Sequence, residues 1–224
     1  RVDRARRKLP EEFPLNETTG WIVGAYLSEG NCTPNFICIS STNENFLAKT
    51  RQFAAAFGLT VNEYDNYRGF ARGHDVHINS ALLSGLLALT CGTGSANKRV
   101  PQFAYSAEEQ FVSALLQAYF DGDGNVSVER NMIRASSNSR ELLDGIALLL
   151  ARFGIFSYKG KGKQHTLVVP GHYARLFREK IGFASEKKTR QLDRFCTMPQ
   201  KQDFIELVSG FDDLLLATTQ KLHE

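Results

Sequence analysis

The chain repeats itself. Residues 20–30 read GWIVGAYLSEG and residues 114–124 read ALLQAYFDGDG, and aligned on their acids the two segments lie 94 residues apart, Glu29 against Asp123. The downstream segments also match in order. NFICISS and then NENFLAKTRQFAAAFGL come after the first motif, and NVSVERNMIRASS and then NSRELLDGIALLLARFGI come after the second. HINSALLSGLLAL answers to VVPGHYARLFREKIGF, and KRVPQF answers loosely to KKTRQL. A collinear repeat of this length means one supersecondary unit used twice, with each copy completing its core against the other.

Each unit reads helix, two strands, helix, two strands, helix. The periodic runs AKTRQFAAAFG and LLDGIALLLARFG end at glycine, as helices do, and Gly30 and Gly124 are expected to stop the repeated first helices. Thr18 or Thr19 is a candidate cap for the first of these, and Ser106–Glu109 has the capping-box pattern for the second. Arg130-Asn131 and Gly160–Lys163 read as hairpin turns. The predicted fold class is α+β, with two pseudo-symmetric αββαββα half-domains at 15–103 and 104–195. A basic arm (1–14) precedes them and a helical tail (196–224) follows.

With 42% hydrophobic residues the chain can bury a core of this size. No apolar run approaches the roughly 20 residues of a membrane-spanning helix. The first residues lack the apolar stretch of a secretory signal, and the four cysteines form no C-x-x-C pair, so an intracellular protein (cytoplasm or organelle matrix) is expected. Net charge is only +3, but its distribution is uneven: +4 over residues 1–8, +7 over 157–196 and −3 over 197–224. Such a basic stretch suits phosphate contacts, although charge runs are more often simply solvated.

The repeated helix carries the chemistry. Gly24 and Ser28 are four apart, as are Ala118 and Gly122, so each helix has a face of small residues along which backbones can approach closely. At the end of each sits a carboxylate, Glu29 or Asp123. A negative charge there opposes the helix dipole, and two carboxylates brought together repel. A divalent cation relieves both penalties, and hard cations prefer carboxylate oxygen.

IVGAYLSEG and LQAYFDGDG resemble the two signature helices of the LAGLIDADG homing endonucleases, the kind found in inteins or encoded by introns. The resemblance spans about residues 15–195. It implies a two-motif monomer whose antiparallel sheets form a DNA-binding saddle. It also implies Glu29 and Asp123 as metal-binding catalytic acids, Mg2+ as the usual cofactor (other divalent ions being possible), and a double-strand cut in a long asymmetric DNA target. In intein-type members a lysine from each half assists catalysis at the cut. Lys98 fits in the first, and Lys187 and Lys188 compete in the second, Lys188 being preferred. Leu27 stands where the second motif has Asp121, so Asp121 is not expected to be catalytic. As given, from Arg1 to Glu224, the chain is not expected to splice itself.

Strand alternation without a register leaves the DNA-facing set open. The candidates are Asn35, Arg68, Arg72, His77, Arg130, Arg134, Lys159, Lys161, Lys163 and Gln164. His74 and His77, three apart on a strand, should point to opposite faces and so form no metal pair. The competing functions are a non-cutting relative of the same fold, either an RNA maturase or a DNA-binding regulator.

Overall fold

The computed structural model describes residues 12–68, 71–160 and 164–198, and at 66–68, 71 and 72 the backbone only. The first half runs α1 (Glu17–Glu29), β1 (Gly30–Cys32), β2 (Phe36–Ser41), α2 (Glu44–Ala56), β3 (Thr60–Arg68), β4 (Ala71–Asn79) and α3 (Ala81–Cys91). A 3-10 turn at Gln102–Tyr105 leads into the second: α4 (Glu109–Asp123), β5 (Gly124–Ser127), β6 (Met132–Ser137), α5 (Arg140–Ala151), β7 (Tyr158–Gly160), β8 (His165–Pro170) and α6 (Ala174–Lys180). One more helix, α7 (Glu186–Thr197), comes after these. The predicted αββαββα order therefore occurs twice. Residues 1–11 of the arm and the tail beyond 198 lie outside the described residues.

Each half builds one antiparallel four-stranded sheet, with strand order β1-β2-β4-β3 in the first and β5-β6-β8-β7 in the second. Period-two alternation decides which face is covered. Ile37 and Ile39 on β2 face the helices together with their cross-strand partners Ile78 and Val76 on β4. Ile133 and Ala135 on β6 do the same with Val169 and Leu167 on β8. Among the described residues, both sheets are left with one largely open face.

The local signals need three corrections. The cap of α1 is Asn16: its side chain accepts from the Thr19 N–H at 3.1 Å, and Thr19 Oγ1 accepts from the Asn16 N–H at 3.0 Å. Thr19 is thus the third residue of a capping box rather than the cap. The Ser106 box does not form, because the Ser106 hydroxyl turns back to the Phe103 carbonyl and α4 begins behind Glu108 with no side-chain cap. Gly30 and Gly124 do end their helices, but at φ −92° and −85° rather than in the left-handed region. Close approach explains them instead: a Cβ on Gly30 would lie 2.7 Å from the Tyr26 ring, and one on Gly124 2.9 Å from the Phe120 carbonyl carbon. Gly58 (φ 61°) and Gly154 (φ 72°) are the left-handed terminators after α2 and α5.

The halves meet along α1 and α4. A Cβ on Gly24 would sit 2.9 Å from Ala118 Cβ and 2.8 Å from the Leu115 carbonyl carbon. One on Gly122 would sit 2.5 Å from Ser28 Cβ and 3.0 Å from Glu29 Cγ. Gly20, one turn earlier, lies against Phe111 with a Cβ position 2.9 Å from its carbonyl carbon. The contact therefore extends one turn beyond the Gly24–Ser28 pair that spacing alone indicated. Around it pack fully buried residues of both helices, among them Ile22, Tyr26, Phe111, Leu115 and Tyr119.

Gly24→Val should force the helices apart and cost about 3 kcal/mol or more, read as a lower midpoint in urea unfolding. Gly85→Ala is the control. It lies inside α3 with nothing within 4 Å of a new Cβ, and should stabilise by roughly 0.5–1 kcal/mol.

Candidate active site and nucleic-acid face

Because α1 and α4 cross at small residues, their C-termini end side by side. Glu29 Cγ lies against Gly122, the residue before Asp123. Both acids are half-buried. Burial, and then the like charge of Glu29, push the Asp123 carboxyl from the ordinary aspartate range up to about 7, against the opposing pull of Lys98 and Lys188. The structure brings all four expected residues into one electrostatic neighbourhood.

The lysines occupy equivalent places beneath the two helix ends. The last turn of a helix leaves carbonyls without intrahelical partners, and cations are favoured there. Lys98, only 6% exposed, donates from Nζ to the carbonyls of Tyr26 (2.7 Å), Leu27 (3.1 Å) and Gly30 (2.8 Å). Three carbonyls match the three N–H donors of an ammonium. Lys188 Nζ donates to Phe120 (3.0 Å), to Asp121 and to Gly122 (3.4 Å). On the alignment of Glu29 with Asp123, Tyr26 corresponds to Phe120 and Leu27 to Asp121. Lys188, not Lys187, is therefore the structural counterpart of Lys98. Burial lowers both ammonium pKa values, and the surrounding carboxylates raise them. The two reach the same place from different local structures. Lys98 lies in an irregular segment between α3 and the 3-10 turn, anchored by a hydrogen bond from Ser139 Oγ to its carbonyl, whereas Lys188 lies in the first turn of α7.

Asp121, where the first half has Leu27, is buried at 7% exposure, and its oxygens accept the backbone N–H groups of Ala184 (2.8 Å) and Ser185 (3.1 Å). It holds the loop that opens α7 and so places Lys188. This positioning role left no mark in the sequence beyond an acid that the first repeat lacks.

The registers settle which candidates share the open faces. In the first sheet Cys38, Asn62 and His77 are opposite one another on β2, β3 and β4, on the face away from Ile37 and Ile78. His77 stacks on Phe36 (ring centroids 4.3 Å) and meets Tyr64 at 4.8 Å. His74 is on the other face, with Nε2 2.6 Å from Glu63 and Nδ1 3.2 Å from Asp65, as the spacing predicted. Asn35 is exposed in the β1–β2 turn. In the second sheet Arg134 is on the open face opposite Asn125 and Val168, and Arg130 is exposed in the β5–β6 turn, where Asn131 has φ 53°. Gln164 is exposed just before β8. Lys159 is not on the open face: opposite Leu167, it is on the helix side, and its Nζ pairs with Asp144 on α5 at 2.7 Å. Arg68 and Arg72 are in β3 and β4, but their side chains, like Lys161 and Lys163, lie outside the described residues.

Comparison with known proteins agrees with this architecture. The LAGLIDADG-like domain family model matches residues 110–182. The fold is that of the crystal structure of I-DmoI in complex with DNA and Mn, at TM-score 0.58 and 10% identity, over 75% of this chain and 98% of that one. The chain is a LAGLIDADG protein of the homing-endonuclease type. Its sequence is 42% identical over 220 residues to the DNA-directed RNA polymerase subunit Rpo1C of Methanocaldococcus jannaschii, covering 96% of this chain and 26% of the relative. It is 29% identical over 182 residues to a DNA gyrase subunit of Mycobacterium gordonae, covering 75% of this chain and 32% of the relative. The LAGLIDADG chain thus spans about a quarter to a third of the length of these relatives.

In a LAGLIDADG helix pair without divalent cation, the Asp123 environment has a measurable consequence. Its folded-state pKa lies above its unfolded value, so between about pH 4 and 7 the folded state keeps a proton that the unfolded chain has lost. Stability should therefore fall as pH rises through that window and stay low above it. Asp123→Asn should flatten the profile and raise stability at pH 8 by roughly 1–4 kcal/mol, the upper end being the full shift converted at about 1.4 kcal/mol per unit. Thermal unfolding in chelator from pH 4.5 to 8, for both proteins, checks it.

Proposed function

We propose that this chain is a site-specific DNA endonuclease, working as a monomer, that makes a double-strand cut in a long asymmetric target by divalent-metal-dependent hydrolysis. The observation that carries this reading is the pairing of Glu29 and Asp123 at adjoining helix ends. Two partly buried carboxylates, the charge of Glu29 raising the proton affinity of Asp123, form a donor set suited to a hard cation, Mg2+ first among them. A cation held there would lower the pKa of an attacking water and offset charge on the departing 3′ oxygen. Two acids, one from each half, serve two strands.

Lys98 and Lys188 act from beneath. With their donors committed to helix-end carbonyls, they hold the carboxylate-bearing turns in place and supply positive charge that keeps Asp123 available as an anion. They are positioning residues in this reading. Lys98→Met should slow cleavage roughly 10–100-fold and, by leaving buried carbonyls without donors, cost about 1–3 kcal/mol.

The relatives support a transferable module. A gyrase subunit does different work from that of an RNA polymerase subunit, yet each contains a stretch similar to this chain and extends far beyond it. A segment recurring inside such different hosts behaves as a mobile unit of the intein kind. I-DmoI, solved with DNA and Mn, shows the same architecture in company with both.

Incubation with plasmid carrying the uninterrupted host locus and Mg2+ should give linear product, reduced at least 10³-fold in Glu29→Gln and in Asp123→Asn. Tight binding of the same DNA without any cutting would instead favour the regulator reading, and binding of intron RNA alone the maturase.

The two open faces should divide the work unequally, each covering about 10 base pairs of major groove. Arg134→Ala should weaken DNA binding and reduce the magnitude of the slope of log K against log salt by about 1. Lys159→Ala, changing a residue on the helix side, should leave that slope unchanged. Fluorescence anisotropy across a salt series distinguishes the two.

A further inference from the structure

The open face of the first sheet holds a group of side chains that the proposed cleavage chemistry does not use. Cys38 on β2 is directly opposite His77 on β4, and Asp75 is two residues before His77 on the same strand and the same face. Each offers one ligand atom, and these atoms all lie within 4.8 Å of one another. Around a tetrahedral ion with bonds of about 2.0–2.3 Å, donors stand roughly 3.3–3.8 Å apart. Closing the cluster onto an ion therefore asks the ligand atoms to draw together by about an ångström. All three residues are half-buried, and Cys38 carries a thiol rather than a disulfide. Phe36 and Tyr64 pack against the His77 ring and restrict its orientation.

We propose that Cys38, Asp75 and His77 form a second metal site, selective for a borderline divalent cation such as Zn2+ and distinct from the carboxylate pair at the helix ends. Thiolate and imidazole are poor ligands for Mg2+ and good ones for Zn2+ or Co2+. The strand pairing supplies three protein ligands and leaves a fourth position open to solvent. Binding breaks the Cys38 S–H bond and releases its proton to water, so the site passes from the single negative charge of Asp75 to neutral.

The second half shows what the first would gain. In the corresponding register of β6 and β8 the equivalents of Cys38, Asp75 and His77 are Arg134, Thr166 and Val168. Where one sheet carries a built-in guanidinium, the other carries a ligand set able to take up a cation. The site depends only on these three side chains and stands whether or not the helix-end acids cut DNA.

Titrating the full, reduced, metal-free chain with Co2+ tests it. The expected result is a near-ultraviolet thiolate-to-cobalt charge-transfer band that saturates at one ion per chain and is bleached by one equivalent of Zn2+. The band should be lost in Cys38→Ser and kept in Cys32→Ser, and the affinity should fall roughly tenfold or more in Asp75→Asn and in His77→Gln, which keep the thiol. Unchanged thermal unfolding of metal-free Cys38→Ser shows that the fold persists. No band in the unmutated chain, a band surviving Cys38→Ser, or Co2+ affinity unaltered by both Asp75→Asn and His77→Gln would overturn the proposal.

Discussion

The molecule is organised by how closely two helices can approach. At Gly20, Gly24 and Gly122 there is no room for a Cβ between α1 and α4, so the helices pack backbone to backbone instead of being held apart by side chains. That single contact sets the pseudo-dyad. It also brings two helix C-termini together, an arrangement electrostatics opposes, since each end carries partial negative charge and a carboxylate besides. Packing of the surrounding apolar residues, Ile22, Leu115 and Tyr119 among them, outweighs that opposition. The shift of Asp123 toward neutrality is the residual strain of holding two like charges in partial burial.

The two lysines make this arrangement tenable. Each helix end leaves carbonyls pointing out of its last turn, and one ammonium fits beneath each set. The two halves solve the same electrostatic problem with unlike local structure, an irregular segment under α1 and a helix under α4. Divergence has altered the supports more than the supported group. Ser139 anchors one lysine segment and Asp121 the loop before the other. The acid that appears in the second motif alone is thereby explained as a structural device of the second half.

The two sheets share strand order and register but not chemistry. Their helix-facing positions are interchangeable: Ile37 and Ile133 are equivalents, as are Ile78 and Val169. Their open faces have drifted apart, because among the described residues no helix layer covers them as it covers the opposite faces. The first presents Phe36, Cys38, Asp75 and His77, the second Arg134, Ser136 and Thr166. A pair of faces so unlike one another is suited to an unsymmetrical ligand, and the difference between an arginine and a potential cation site makes them differ in charge as well as shape.

Much of this was written in the sequence because it depends on local spacing. The repeat determined that there are two halves, the apolar periods determined the αββαββα order, and small residues four apart determined that the acid-bearing helices could meet. Glu29 and Asp123 were legible for that reason, since each closes one copy of the repeated motif, whereas Lys98 was named only through the family resemblance. The helix caps misled, because Ser106 and Asn16 each had several backbone partners within reach and neighbouring turns chose among them. Tertiary structure alone decided the rest: that Lys188 rather than Lys187 lies under α4, that Lys159 turns to the helix side, and that Cys38, Asp75 and His77 share a face. The first depends on a helix meeting a helix end 67 residues away, and the other two on strand register, where a one-residue slip would turn Lys159 or Cys38 to the opposite face.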